Sequence, residues 1–143
     1  MSPVVRKLNR LLTIHVRSFA TYQLEATPWS SGRSGDEAIA RTLRDIGRDR
    51  KALADRIYTA IQDRRGAVAP GSFPMEFTDK HDLSLEWLLR ELLAYQRRDT
   101  AAIEQVARSL TDDREAAELA QEALGTAQAH LEALESLAAK QPA

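Results

Sequence analysis

Two histidines, His15 and His130, sit at helical spacing among apolar residues, and this placement has chemical consequences. His15 follows Leu8 and Leu11 on one stripe, and His130 shares a face with Ala123, Ala127 and Leu134. Two imidazoles joined by the carboxylates of Asp49 and Asp99, or by Glu91, would suit iron, manganese or zinc. The same groups, with Arg50 and Gln96 among them, would equally satisfy one another as a buried hydrogen-bond layer. Arg50 favours the second arrangement, because a guanidinium neutralises a carboxylate that a metal would otherwise take. The expectation is a buried polar layer of His15, Asp49, Arg50, Gln96, Asp99 and His130. Of these, His15, Asp49, Asp99 and His130 are the candidate metal ligands. His81, beside Asp82, reads as a surface or capping residue. No catalytic residue is indicated: the chain has no cysteine, nucleophile elbow, phosphate loop, dinucleotide fingerprint or haem-attachment motif.

Such a layer needs helices to hold it, and four segments have helical periodicity. The first spans about 3–26 on Val4, Leu8, Leu11, Phe19 or Ser18, Tyr22 and Ala26, and Thr27-Pro28-Trp29 ends it. The second spans about 36–65 on Ile39, Leu43, Ile46, Leu53, Ile57 and Ile61, with Gly66 at the expected C-terminal glycine position. The third spans about 80–110 on Leu85, Leu89, Leu92, Ile103 and Val106, capped by Asp79 or Asp82. The fourth spans about 112–140 on Ala116, Ala120, Ala123, Ala127, Leu131, Leu134 and Leu137. The apolar stripes break near the middle of each helix, at His15, at Asp49-Arg50, at Gln96 and Asp99, and at His130. These breaks meet at one level whether the chain runs up and down or crosses over. The pattern predicts an all-α four-helix bundle occupying residues 1–143 as one domain.

The segment between the second and third helices is the longest of the regular connections, and it carries Pro70, Gly71 and Pro74. Fifteen extended residues reach up to about 50 Å, against about 36–45 Å for helices of this length. A crossover that leaves helices two and three parallel is therefore expected over a plain up-down bundle.

The net charge of −1 conceals an asymmetry. Residues 1–65 hold 13 Lys/Arg against 7 Asp/Glu, and residues 66–143 hold 7 against 14. The two halves either screen each other on packing or attract an outside partner. The basic residues of the second helix alternate with Asp45, Asp49, Asp55 and Asp63, which argues against nucleic-acid binding. No apolar run approaches a membrane span, the N-terminus lacks a signal-peptide core, and cysteine is absent, so a cytoplasmic location is expected.

The helix pattern, the long middle crossover, the central polar layer and the segment Phe73-Pro74-Met75-Glu76-Phe77-Thr78-Asp79 together resemble the ferritin-like superfamily, in particular its small bacterial members. That resemblance implies a di-metal site made from one Glu on each of two helices and a Glu-x-x-His pair on each of the others. The sequence departs from this set. His15 stands where a Glu would be, and Asp49-Arg50-Lys51-Ala52 is an acid without its histidine. Ala127-Gln128-Ala129-His130 is a histidine without its acid, and Glu91 lies off the main stripe. The expected function is a non-enzymatic bundle with a degenerate metal site that needs no cofactor and acts by protein association. It would form a homodimer through the Trp29 and Phe73–Phe77 regions, and the Phe73–Phe77 segment could also take a protein partner. The alternative is an iron, manganese or zinc bundle using the His/carboxylate set in redox or metal handling.

Overall fold

The structure is a computed structural model, and it describes residues 2–18, 36–69 and 85–140. Among these residues there are four α-helices and no strand: α1 (Pro3–Val16), α2 (Asp36–Asp63), α3 (Leu85–Ser109) and α4 (Arg114–Ala139). None of them is long and apolar enough to cross a membrane. Trp29, the Phe73–Phe77 segment, Asp79, His81, Asp82 and most of the expected crossover lie outside the described residues.

α1 starts on two local signals. The Ser2 hydroxyl accepts the Val5 N–H at 3.1 Å, and Pro3 occupies the first turn, where its missing N–H costs nothing. It ends at Val16, ten residues short of the expected Ala26, where Arg17 closes on the Thr13 carbonyl at 2.9 Å. Ser18 follows outside the helix with its side chain buried, and its hydroxyl is of the kind that competes with helical backbone bonding. The Tyr22 and Ala26 positions of the expected stripe fall outside the described residues.

The C-terminus of α2 corrects a second expectation. The Gly66 N–H reaches the Ile61 carbonyl at 3.0 Å and the Arg65 N–H reaches Gln62 at 2.9 Å, which is the Schellman pattern. The residue with left-handed backbone in that motif is Arg65, at φ 55°, one position before the expected glycine. Gly66 is required for a different reason. A Cβ on it would stand 2.6 Å from Val5 Cγ1 of α1, so the close approach of α1 to the chain just past α2 leaves no room for a side chain.

Beyond Gly66 the chain is held against α1 by one buried side chain. Asn9 donates through Nδ2 to the Ala67 carbonyl and accepts the Ala69 N–H on Oδ1, each at 2.8 Å. The Thr13 hydroxyl, one turn further along α1, lies 3.2 Å from the Ala69 carbonyl. Residues 67–69 are thus bonded through their backbone to the side chains of Asn9 and Thr13 on α1.

Among the described residues, apolar burial falls into two clusters. One gathers Val5, Leu8, Leu11 and Leu12 of α1, Leu53 to Ile61 of α2, Ile103 to Leu110 at the end of α3, and Ala116 to Ala127 of α4. The other gathers Ile39 to Ile46 of α2, Leu88 to Tyr95 of α3 and Leu134 of α4. The first parts of α2 and α3 therefore share one cluster, and their later parts share the other. α1 contributes to the first cluster alone.

Candidate functional site

The gap between the two clusters is filled by polar side chains. Arg50 lies between Ile46 and Leu53 on α2, Gln96 and Thr100 between Leu92 and Ile103 on α3, and His130 between Ala127 and Leu134 on α4. His15 closes the α1 end of the first cluster. Their helical positions put them on the core stripe, one or two turns from the nearest apolar member. Four of the residues expected there, His15, Arg50, Gln96 and His130, are buried.

Arg50 is its centre, at 3% exposure. Its Nη2 donates to Gln96 Oε1 at 2.8 Å, and its Nη1 donates to Asp99 Oδ2 at 3.1 Å and faces the Ile14 carbonyl at 3.4 Å. Gln96 passes the bonding on, giving Nε2–H to the Ala127 carbonyl at 3.0 Å and approaching the Thr100 hydroxyl at 3.4 Å. One connected network thus reaches all four helices. Burial pushes the Asp99 carboxyl up from the usual range, opposed by the adjacent Arg50 charge. Burial pulls Arg50 down, and Asp99 opposes that in turn.

The two imidazoles sit beside this network, each with one ring nitrogen assigned by its partner. His15 Nδ1 lies 2.8 Å from the Leu11 carbonyl, which only accepts, so the proton is on Nδ1. Burial, then the nearby Arg50 charge, lower the His15 pKa from 6.5 to about 4. His130 donates from Nε2 to Asp49 Oδ2 at 2.8 Å, and its Nδ1 is buried without a partner. Burial lowers the His130 pKa, opposed by the bond to Asp49.

Of the six expected members of the layer, His15, Arg50, Gln96 and His130 are buried, and Asp99 reaches in with its side chain 16% exposed. Asp49 corrects the expectation: its side chain is 51% exposed, and it meets His130 from the outside. Neighbouring helical positions point about 100° apart, so Asp49 and Arg50 cannot both face the core. The carboxylate of Asp99 is on Arg50, that of Asp49 is at the surface, and Glu91 is half-buried. Among the described residues no three His, Cys, Asp or Glu are grouped as a metal site would need. Thr100 and Asn9 are buried polar residues outside the expected set. Thr100 lies one turn past Gln96, and Asn9 lies one turn past Val5, so the helical stripe itself marks both.

A second polar feature runs along the seam of α2 and α4. His130 meets Asp49, Glu122 grips Arg56 through two bonds of 2.6 and 2.8 Å, and Asp113 grips Arg64 through two of 2.9 Å. These rungs recur after seven and eight residues of α2 and after eight and nine of α4. Arg50–Asp99, Arg56–Glu122 and Arg64–Asp113 each join a cation of residues 1–65 to an acid of residues 66–143, so the basic and acidic stretches screen each other in part. Between the rungs lie two open grooves. One of about 500 Å³ is lined by Asp55, Arg56, Asp63, Glu115, Glu118 and Glu122, among others. The other, of about 250 Å³, lies beside Asp49, Ala52, Arg56 and Thr126. Comparison with known proteins found no matching family model, no matching curated protein and no matching solved structure.

Proposed function

We propose that the chain is a non-enzymatic, ferritin-like helical bundle that acts through protein association, and that its central layer fixes helix register and does no chemistry. The carrying observation is the placement of Arg50, whose guanidinium takes Asp99 and Gln96 at the level where a di-metal centre would need free carboxylates. A fixed cation there repels further cations, so the residues do not fit the superfamily's di-metal group. The ferritin-like crossover has two supports. The opening parts of α2 and α3 share one apolar cluster, as parallel helices would. Residues 67–69 leave α2 along α1 in the direction from Asn9 to Thr13, toward the far end of the bundle.

One observation favours the alternative of a metal-binding bundle. His130 is oriented by a carboxylate on Nε2 and keeps a buried, unpartnered Nδ1, the arrangement in which imidazoles often ligate metal. Elemental analysis of protein purified without a histidine tag separates the two readings, together with melting in the presence and absence of a chelator. No stoichiometric metal and an unmoved Tm are expected. Stoichiometric iron, manganese or zinc, or a Tm that falls on chelation and recovers with metal, would replace the association reading with the alternative.

A further inference from the structure

The outer face of α2 is richer in arginine in its first half, where Glu37 and Asp45 are interspersed, and richer in acids in its second. Arg41, Arg44 and Arg48 are exposed and recur at intervals of three and four residues, so they form one stripe. Two of them have weak partners on their own helix: Arg41 lies 3.7 Å from Glu37, and Arg48 lies 3.7 Å from Asp45. The same stripe continues through the exposed Ala52 to Asp55, Thr59 and Asp63, where the charge is negative. The neighbouring stripe of α4 reinforces the contrast. Beside the acidic half of α2 it carries Glu115, Glu118 and Glu122, and beside the basic half it carries Ala129, Ala133 and Ser136. Within the acidic half Arg56 occupies Glu122, Arg114 occupies Glu118 and Arg64 lies 3.6 Å from Glu115, while Asp55 and Asp63 keep the 500 Å³ groove net negative. Tyr58, the one large hydrophobic side chain exposed among the described residues, borders this acidic half at 44% exposure.

A surface that is basic at one end and acidic at the other, with a small residue at the change, is complementary to itself after a half-turn. That is the requirement of an isologous twofold interface, in which each patch meets the other patch of the partner. We infer that a second copy of this chain docks on the α2–α4 face about a twofold axis crossing α2 near Ala52. The Arg41–Arg48 stripe of each copy then lies against the Asp55, Asp63 and Glu118 side of the other. The inference rests on the association reading, and it names the partner and the face. A neutral or single-signed face would give no such orientation, because like charges brought together oppose docking.

Sedimentation velocity in about 0.1 M and about 1 M salt tests it, since the Debye length falls from about 10 Å to about 3 Å across that range. The chain is expected to sediment as a dimer at the lower salt and to shift toward monomer at the higher. Two triple variants carry the decision: Arg41→Glu/Arg44→Glu/Arg48→Glu, and Asp55→Lys/Asp63→Lys/Glu118→Lys. All six positions are exposed, and circular dichroism melting verifies that each variant folds. Each is expected to be monomeric alone, and an equimolar mixture is expected to dimerise, because both contacts of the twofold pair are then restored. A wild-type dimer that survives in both variants would place association on another face, sinking this inference while leaving the association reading intact. A wild-type chain monomeric throughout at low salt would remove the inference and confine the association reading to a different protein as partner.

Discussion

Arg64 and Asp113 face each other in a two-pronged ion pair, Nε to Oδ2 and Nη2 to Oδ1, each at 2.9 Å. The pair fastens the end of α2 to the start of α4, because the same Asp113 carboxylate is the N-cap of α4 and accepts the Ala116 N–H at 3.1 Å. Arg64 also donates to the Ala60 carbonyl at 2.8 Å, so its fork is aligned before it meets the acid.

Asp113→Ala removes the cap and the ion pair together, and a loss of about 2–3 kcal/mol is expected in urea unfolding. Asp113→Asn keeps an acceptor for Ala116 and should cost about half as much. Equal losses for the two variants would show that the cap contributes nothing measurable.

Arg50→Met should be among the most damaging single changes, at about 3–5 kcal/mol, because it leaves Asp99 and Gln96 buried without their donor. Adding Asp99→Leu removes the stranded carboxylate and should recover most of that loss. A double-mutant cycle reads the coupling, and strict additivity of the two changes would contradict the network described.

His15 supplies a pH dependence of definite sign. Its folded pKa is lowered to about 4 from 6.5, first by burial and then by Arg50, so the unfolded chain binds the proton more readily. The resulting stability is fully present above about pH 6.5 and is lost as pH falls toward about 4, by roughly 3 kcal/mol in total. His130, also lowered, acts in the same direction. His15→Gln should flatten this part of the stability profile, and an unchanged slope between those pH values would assign the acid sensitivity elsewhere.

Adjacent positions at the end of α2 should respond with opposite signs. Gly66→Ala brings a methyl to 2.6 Å from Val5 Cγ1 and is expected to destabilise by about 1–3 kcal/mol. Arg65→Gly relieves a left-handed side-chain residue, worth about 1–2 kcal/mol, against an entropic cost of about 0.5–1 kcal/mol, for a small net gain. Thermal melting of the two variants checks the pair, and a shared sign would refute the assignment.

The periodic stripes revealed α2, α3 and α4, because one face of each is continuously apolar except where the polar layer crosses it. The layer was legible for the same reason: a polar residue on a core stripe is conspicuous. Which of Asp49 and Arg50 turns inward is not legible, since the sequence marks the break but not which of two side chains about 100° apart faces the core. The left-handed position expected at Gly66 belongs to Arg65, and the constraint on Gly66 is Val5, sixty-one residues earlier in the chain. The Asn9 clamp and the rungs between α2 and α4 depend on how elements distant in sequence are aligned, which no local pattern encodes.

The Asn9 clamp has a consequence for synthesis. α1 leaves the ribosome before α2, yet the carbonyl and amide that Asn9 must meet belong to residues 58 and 60 positions later. At about 5–20 residues per second, α1 waits roughly 3–12 s before its carboxamide can be satisfied. Fourteen residues are marginal as an isolated helix in water, so the nascent segment has little structure of its own to hold through that interval. α1 is therefore secured only once residues 67–69 have emerged, and its apolar stripe is the surface that a chaperone would meet until then.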